Sequence, residues 1–490
     1  MDQHYRQAEV LVFVSCPIAI LINMGKLSEI KDTICAPATP PGISAIAVVR
    51  LSGPESFEIA GSVFRPKKKG LDLLGAEPRV MTLGVIKDGD EEVDEVMLAR
   101  FPGPDSYTAE DMVEIYCHGS PYIQQSIIRL LIDCGARMAG PGEFTQRAFL
   151  NGRMDLSQAE AVADLIASNS EASRKMAFRQ MRGHFSKRIG DLRSKLVEFS
   201  SLIELELDFS EEDVEFADRK ELLRLLEDVK TEVSELIASF SLGNVLKQGI
   251  PVAIIGKPNV GKSTLLNALL NEERAIVSEV PGTTRDTVED TISINGVAFR
   301  FIDTAGLRKS SDKVESFGIE RTYEKIRQAS IILYMFDASS TSIEEISETL
   351  SEFRSEVGDE NKRLILIANK IDLMEEMPHH FKNLVDLETI FVSAKRKENI
   401  SMITDFLLKS VDTYAEEARG TIVTNSRHYE ALLRTSESIQ EVEKGVHENI
   451  SGDLLAIDLR SALHHLGGIT GEISSDEILG EIFSRFCIGK

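Results

Sequence analysis

The sequence predicts a multidomain α/β plus α protein, and three observations carry that expectation. At 490 residues the chain exceeds what one hydrophobic core usually fills. Its third quarter alternates short apolar strands with helices around a glycine-rich loop, while the segment before it repeats apolar residues at helical spacing and the segment after it reads as helical and polar. Ahead of both lies a stretch of short β alternations punctuated by Gly and Pro. The chain accordingly divides into an N-terminal extension (1–30), an α+β domain (31–150), a first helical part (151–248), an α/β domain (249–413) and a second helical part (414–490). The simplest architecture inserts the α/β domain into a helical domain built from both flanks.

Composition narrows the class. Hydrophobic residues make up 42% and charged residues 27%, ordinary values for a globular protein. No window approaches the ~20 apolar residues a bilayer span requires, so no membrane partner is expected. The apolar run Val10–Ile22 lacks a basic flank and a small-residue cleavage site, and it reads as an extension with Met24 as a second start. Five scattered cysteines without Cys-x-x-Cys spacing point to a reducing cytoplasm and to no zinc. With 55 Lys and Arg against 79 Asp and Glu, the formal charge of −24 opposes nonspecific coating of nucleic acid. Any RNA contact must then be a local basic patch.

The elements follow from spacing. Ala45–Arg50 alternates as a strand of the α+β domain. Ser157-Gln158-Ala159-Glu160 has a capping-box pattern, and Phe178, Met181, Phe185, Ile189, Leu192, Leu196, Phe199 and Ile203 keep one helical stripe. After an acidic break at Glu211–Asp213, Leu222, Leu226, Val229, Val233 and Leu236 predict a second long helix packed antiparallel to the first. Arg174–Lys195 carries eight basic residues against Asp191, and on one helix Lys175, Arg179, Arg182 and Arg193 would share a flank. That flank is either a contact for RNA phosphates or a partner protein, or a solvated face. Strands are expected at Pro251–Ile255, Val297–Ile302, Ile331–Phe336, Leu364–Ala368 and Ile390–Val392, with Asn295-Gly296 as a type I′ turn. This hairpin gives the one antiparallel pair of a Ras-like sheet.

Gly256-Lys257-Pro258-Asn259-Val260-Gly261-Lys262-Ser263 fits G-x-x-x-x-G-K-[ST] between a strand and a helix, the context in which the motif binds phosphate. Asn259, Val260 and Gly261 would wrap the phosphates, with Thr264 in the following turn. Lys262 would neutralise the β- and γ-phosphates, and the Ser263 hydroxyl would ligate Mg²⁺ at a helix N-terminus. Asn369-Lys370-Ile371-Asp372 ends a strand, and the Asp372 carboxylate can accept both donors of the guanine edge. Ser393, Ala394 and Lys395 close the base pocket, by similarity to translation-factor-type GTPases.

Asp303, Thr304, Ala305 and Gly306 follow a strand as the segment that senses the γ-phosphate, Asp303 through Mg²⁺ and Gly306 through its N–H. Upstream, Gly282-Thr283-Thr284 offers a first switch loop with Thr284 as the second Mg²⁺ ligand. Leu307 stands where a glutamine would orient the attacking water, and leucine cannot. Glu315 is the group to take that part, directly or through a bridging water, with a surface glutamate as the alternative. No arginine finger is evident, and Asn259 can instead help hold a monovalent cation.

With these residues in view, the chain resembles the MnmE (TrmE) family of tRNA-modification GTPases over nearly all of 31–490. Asp32-Thr33-Ile34, Ala38-Thr39-Pro40-Pro41-Gly42 and Val49-Arg50-Leu51-Ser52-Gly53 are similar to the start of that family's folate-binding domain. Ser106–Asp111 and Pro141–Gly152 continue the likeness, and Phe486-Cys487-Ile488-Gly489-Lys490 is its C-terminal signature. The resemblance implies GTP hydrolysis coupled, with the flavoprotein MnmG, to placing an aminomethyl or carboxymethylaminomethyl group on carbon 5 of the tRNA wobble uridine. The one-carbon unit would come from tetrahydrofolate in its 5-formyl or methylene form, held by Arg50, Glu114, Arg153 and Lys490. Cys487 is implicated in that chemistry, unless it is only a small apolar tail residue. The resemblance also implies a homodimer whose G domains meet across their nucleotides, and a K⁺ site formed by Asn259 with Ser278, Val280 and Thr283. Glu279, Pro281 and Gly282 complete that nucleotide-facing loop, and Lys262, Thr284, Gly306 and Glu315 form the catalytic set. The rival function is a ribosome-assembly or signalling GTPase switch, since a G domain does not report its client. A noncatalytic folate-binding scaffold is a further reading.

Overall fold

The alternation at Ala45–Arg50 lies in the middle of a seven-stranded sheet: Ala47, Val49 and Leu51 are fully buried, while Val48 and Arg50 take the opposite face. The computed structural model describes residues 32–490 except 69, 71–74, 76, 209–218, 271–274, 278–289, 303–323, 325, 358–361, 375–388, 418–421, 449 and 485. The chain falls into two units, one of residues up to Met154 with Glu472–Lys490, the other Asp155–Gly471.

In the first unit the strands are β1 (Ile34–Pro37), β2 (Ser44–Ser52), β3 (Phe64–Pro66), β4 (Thr82–Asp88), β5 (Glu91–Phe101), β6 (Met112–Gly119) and β7 (Arg137–Met138). They pair in the order β3-β4-β5-β6-β2-β1-β7, antiparallel except for β1 with β7. Helices α1 (Ser56–Val63) and α2 (Pro121–Asp133) cover one face, where Ile59, Val63, Ile127 and Leu131 join Val49, Leu51 and Ile115 in a core. Each such side chain, fully buried, contributes ~1.5–3 kcal/mol. Helix α3 (Glu143–Leu150) seats Phe144 against Ile34, Ala36 and Ala139.

The C-terminal helix Asp476–Ser484 packs on α3, and Ile488 bridges antiparallel to Pro141. Residues 472–490, which the sequence reading groups with the helices before them, therefore belong to the N-terminal unit. Gly489 permits the approach: at φ +94 it is in the left-handed region, and a Cβ there would stand 2.0 Å from the Pro37 carbonyl oxygen.

The second unit begins with α4 (Leu156–Ala167), α5 (Glu171–Met181), α6 (His184–Asp208) and α7 (Arg219–Gln248). The capping box is formed by Asp155, not Ser157: its Oδ1 accepts from Gln158 N at 2.9 Å, and Gln158 Oε1 accepts from Asp155 N at 2.9 Å. Ser157 is instead buried against Ser186. The stripe read through Phe178–Ile203 spans two helices, since Gly183 at φ +80 separates α5 from α6.

The α/β part follows as β8 (Ile250–Ile255), α8 (Lys262–Leu270), β9 (Ala275–Val277), β10 (Asp290–Ile294), β11 (Val297–Phe301) and β12 (Ile331–Asp337). It continues with α9 (Ile343–Val357), β13 (Arg363–Asn369), β14 (Thr389–Val392) and α10 (Ile400–Glu417). The sheet order is β14-β13-β12-β8-β11-β10-β9, and buried side chains line both faces. Asn295-Gly296, at φ +49 and +82, makes the β10–β11 turn. That pair is not the sheet's one antiparallel contact, because β9 also runs antiparallel to β10. Three residues are too few for alternation to mark β9 in sequence.

Helices α11 (Ser426–His447) and α12 (Gly452–Thr470) then return to α6 and α7, so that Phe199, Val233, Ile439 and Leu459 share one core. Buried Glu160 in α4 ties the halves: it accepts from Arg427 Nε at 2.9 Å and lies 2.6 Å from His428 Nε2.

Candidate functional site

The nucleotide pocket sits where strands end. Gly256 closes β8 at φ +146, and a Cβ there would stand 2.0 Å from the Met335 carbonyl oxygen on the neighbouring β12. Asn259 takes the left-handed conformation at φ +62, which an Asn tolerates better than most residues, and so turns the loop. Lys262 opens α8 and folds back over the loop, its Nζ donating to the carbonyls of Gly256 at 2.6 Å and Lys257 at 2.7 Å. Ser263 and Thr264 follow in the first turn of α8, where backbone N–H groups favour an anion.

Three loops are then tied together by side chains. Asn369, buried at the end of β13, donates through Nδ2 to Val260 O at 2.7 Å and accepts at Oδ1 from Ala394 N at 2.9 Å. It thus spans the phosphate loop and the segment after β14. Lys370, left-handed at φ +69, donates to Asp337 Oδ2 at 2.7 Å. Burial raises the Asp337 carboxyl, but Lys370 and Ser339 outweigh it and hold the group below its ordinary range. Ser393 donates to Asp372 Oδ1 at 2.7 Å and, with lesser help from the Arg396 and Lys395 charges, keeps Asp372 ionised at lower pH than usual. An oriented carboxylate beside a lysine stem at this position suits the paired donors of guanine.

A second cluster of polar side chains lies on the face of the N-terminal sheet opposite α1 and α2. Arg50 on β2 and Glu114 on β6 are direct cross-strand partners, with Arg50 Nε donating to Glu114 Oε1 at 2.8 Å. Tyr116 Oη donates to Glu114 Oε2 at 2.6 Å, and the Arg50 guanidinium carbon lies 5.7 Å from the Tyr107 ring centroid. Lys490, the last residue of the tail, has its ammonium held below the usual pKa first by burial and then by the Arg50 charge. Cys487 is an exposed free thiol whose carbonyl accepts from Gly142 N at 3.3 Å. In the same unit buried Arg147 donates to Asp32 Oδ1 at 2.7 Å, Asp32 O at 2.8 Å and Glu143 Oε1 at 3.0 Å, tying α3 to the segment leading into β1.

Comparison with known proteins bears on both pockets. The description "GTP-binding protein TrmE N-terminus" matches residues 33–153, and "MnmE helical domain" matches residues 156–487. A tRNA modification GTPase MnmE of Christiangramia forsetii is 53% identical over 476 residues, covering 94% of this chain and 100% of that protein. The chain belongs to the MnmE family of tRNA modification GTPases. MnmE proteins of Flavobacterium johnsoniae and Bacteroides fragilis are each 51% identical over 94% of this chain, covering 99% and 100% of their own lengths.

Of the residues expected from the MnmE resemblance, the structure pairs Arg50 with Glu114 and leaves Lys490 within range of the Arg50 charge. Arg153, exposed after α3, makes no hydrogen bond or ion pair with those three among the described residues. Ser278, Glu279, Val280, Pro281, Gly282, Thr283 and Thr284 lie outside the described residues, as do Asp303, Thr304, Ala305, Gly306 and Glu315. Sequence reasoning missed Asp337, Tyr107, Tyr116 and Arg147, which act by holding other side chains. The only signal for Asp337 is its place at the end of a buried strand.

The basic flank is also redrawn. Lys175 pairs with Glu171 at 2.7 Å, Arg188 with Glu235 at 2.7 Å and Lys195 with Glu232, the last two across to α7. Arg179, Arg182 and Lys187 are exposed and have no carboxylate partner within salt-bridge distance among the described residues, and Arg182 lies 4.5 Å from the Phe178 ring centroid. No helix among the described residues is long and apolar enough to cross a membrane.

Proposed function

We propose that this GTPase couples its hydrolytic cycle to modification of carbon 5 of the tRNA wobble uridine, using a tetrahydrofolate one-carbon unit bound in the N-terminal pocket. The observation that carries the reading is the C-terminal tail: it returns to the N-terminal sheet and sets Lys490 beside the Arg50–Glu114 pair. An acid flanked by two cations offers a donor-rich pterin edge its acceptor, and it offers carbonyl and carboxylate groups their donors. Arg153 reaches the same ligand in this reading, and Cys487 stands at the pocket's edge. A homodimer and the flavoprotein MnmG complete the assembly in the cytoplasm.

At the nucleotide pocket Lys262 carries positive charge to the β- and γ-phosphates, and Asp372 selects guanine. Ser263 and Thr284 would hold Mg²⁺, which neutralises charge developing on the phosphate oxygens. The left-handed turn at Asn259 suits a K⁺ held with Ser278, Val280 and Thr283, a charge standing where an arginine finger would. Glu315 orients the attacking water. The tRNA backbone meets Arg179, Arg182 and Lys187 at the α5–α6 elbow, cations without a carboxylate partner among the described residues in a chain of net charge −24.

Mass analysis of tRNA wobble uridines in cells lacking the chain, with and without its return, tests the function directly. Loss of the carbon-5 group and its recovery are expected. A full complement of modified uridine in the deleted cells would leave only a GTPase acting elsewhere.

A further inference from the structure

We propose that Tyr116 is a positioning residue of the N-terminal pocket, its hydroxyl orienting the Glu114 carboxylate toward the amino-pyrimidinone edge of a reduced pterin. This rests on the folate reading above and goes beyond it in naming what sets the recognition geometry. Glu114 and Tyr116 are two residues apart on β6 and therefore face the same side of the sheet. Across the ladder, Glu114 is flanked by Arg50 on β2 and the small Ala99 on β5, while Tyr116 is flanked by Val48 and Met97. The register thus puts the charged pair and the phenol in adjacent cross-strand rows of one face, with apolar residues on either side of the ring.

The two oxygens of Glu114 are restrained separately. Arg50 Nε donates to Oε1 at 2.8 Å, and Tyr116 Oη donates to Oε2 at 2.6 Å. Arg50 is in turn steered by the Tyr107 ring, whose hydroxyl lies 2.9 Å from Thr145 Oγ1. A carboxylate has about four acceptor sites, so one remains on each oxygen after these two bonds. A ring N–H beside an exocyclic amino group presents two parallel donors, and this pair fits one remaining site on each oxygen. The terminal torsion of a glutamate is broad and soft. With Arg50 alone, one oxygen would be fixed and the carboxylate plane free to turn about it. The phenol removes that freedom before the ligand arrives. Burial, with the hydrogen bond to Glu114 next, raises the Tyr116 phenol to about 12, so it remains a donor throughout the neutral range.

The test is calorimetric titration of the full chain with 5-formyltetrahydrofolate and with its 2-desamino analogue, which lacks one of the two donors. Tyr116→Phe keeps the ring and its packing, and far-UV circular dichroism and melting of the variant check that the fold is retained. Orientation matters most to the ligand with both donors, so Tyr116→Phe should weaken 5-formyltetrahydrofolate about tenfold and the desamino analogue by about twofold or less. Equal loss for both ligands would assign Tyr116 a packing role only and overturn the proposal. An unchanged affinity of the variant for 5-formyltetrahydrofolate would also overturn it, while leaving the folate reading intact. If the parent chain binds neither ligand, the folate reading itself falls, and this inference with it.

Discussion

In the nucleotide pocket each holding side chain leaves the chain at a strand end or in the loop just after it, and its partner comes from the neighbouring strand's loop. The N-terminal pocket instead draws Arg50 and Glu114 from mid-strand and Lys490 from the last residue of the chain. The first is therefore set by backbone turns that a short motif encodes. The second exists only after residues hundreds apart in sequence have packed. A point change in the former should alter what is bound, whereas the latter should be vulnerable to changes far from any ligand.

The largest effect is expected at Asp372. Replacing it with Asn exchanges one acceptor for a donor against guanine, and charged hydrogen bonds of this kind contribute ~1.5–3 kcal/mol each. GTP affinity should fall by about a hundredfold and preference should pass to xanthosine nucleotide, with folate binding untouched. Nucleotide titrations that still favour GTP would break the assignment of the base pocket.

Next is the cation dependence of hydrolysis. K⁺ should stimulate turnover more than Na⁺, and Asn259→Ala should lose most of that stimulation, on the order of tenfold, while retaining nucleotide. Equal parental rates in the two salts would remove the cation site. The contrasting experiment on the other pocket is Gly489→Ala. A Cβ 2.0 Å from Pro37 O at φ +94 must displace the tail, carrying Lys490 away. Folate affinity should drop about tenfold, the loss of one charged contact, with GTP turnover as in the parent. Unaltered folate binding by this variant would mean that the tail is not part of the pocket.

Smaller effects separate the remaining contacts. Charge reversal of Arg179 and Arg182 should weaken tRNA binding several-fold in low salt and reduce the slope of its salt dependence. Filter binding that matches the parent at low and physiological salt would identify a merely solvated face. Glu160 gives the smallest shift. Burial raises its carboxyl, but His428 and Arg427 outweigh burial and bring it to about 2, from an ordinary 4.5. A depressed carboxylate stabilises the fold above its unfolded pKa, and that contribution fades as pH falls from about 4.5 toward 2. Calorimetric melting of Glu160→Gln should accordingly lose part of the parent's decline across that window, by a few degrees.

Local order was legible to the degree that it is local. The strands from Ile250 to Val392 other than the three-residue β9, the turn at Asn295-Gly296 and the α6–α7 stripe were readable, because period, turn chemistry and burial agree within a few residues. Where neighbours compete, the reading slipped. Ser157 looks like a cap, yet Asp155, two residues earlier, stands at the N-cap and takes the bond. The eight-cation segment looks like one helix, yet Gly183 divides it and α7 neutralises Arg188 and Lys195.

What the sequence by itself determined is the set of groups proposed to touch ligand: the phosphate loop, Asp372 for guanine, and Arg50, Glu114 and Lys490 by likeness to a family. Those residues recur in fixed short patterns because their chemistry demands fixed types at fixed spacing. Only the tertiary structure decided which side chains hold them in place. Asp337 under Lys370, Tyr116 on Glu114 and the tail against Pro37 are contacts between distant segments. No spacing rule reaches that far, since a holding residue can come from any element that packing brings within a hydrogen bond's length.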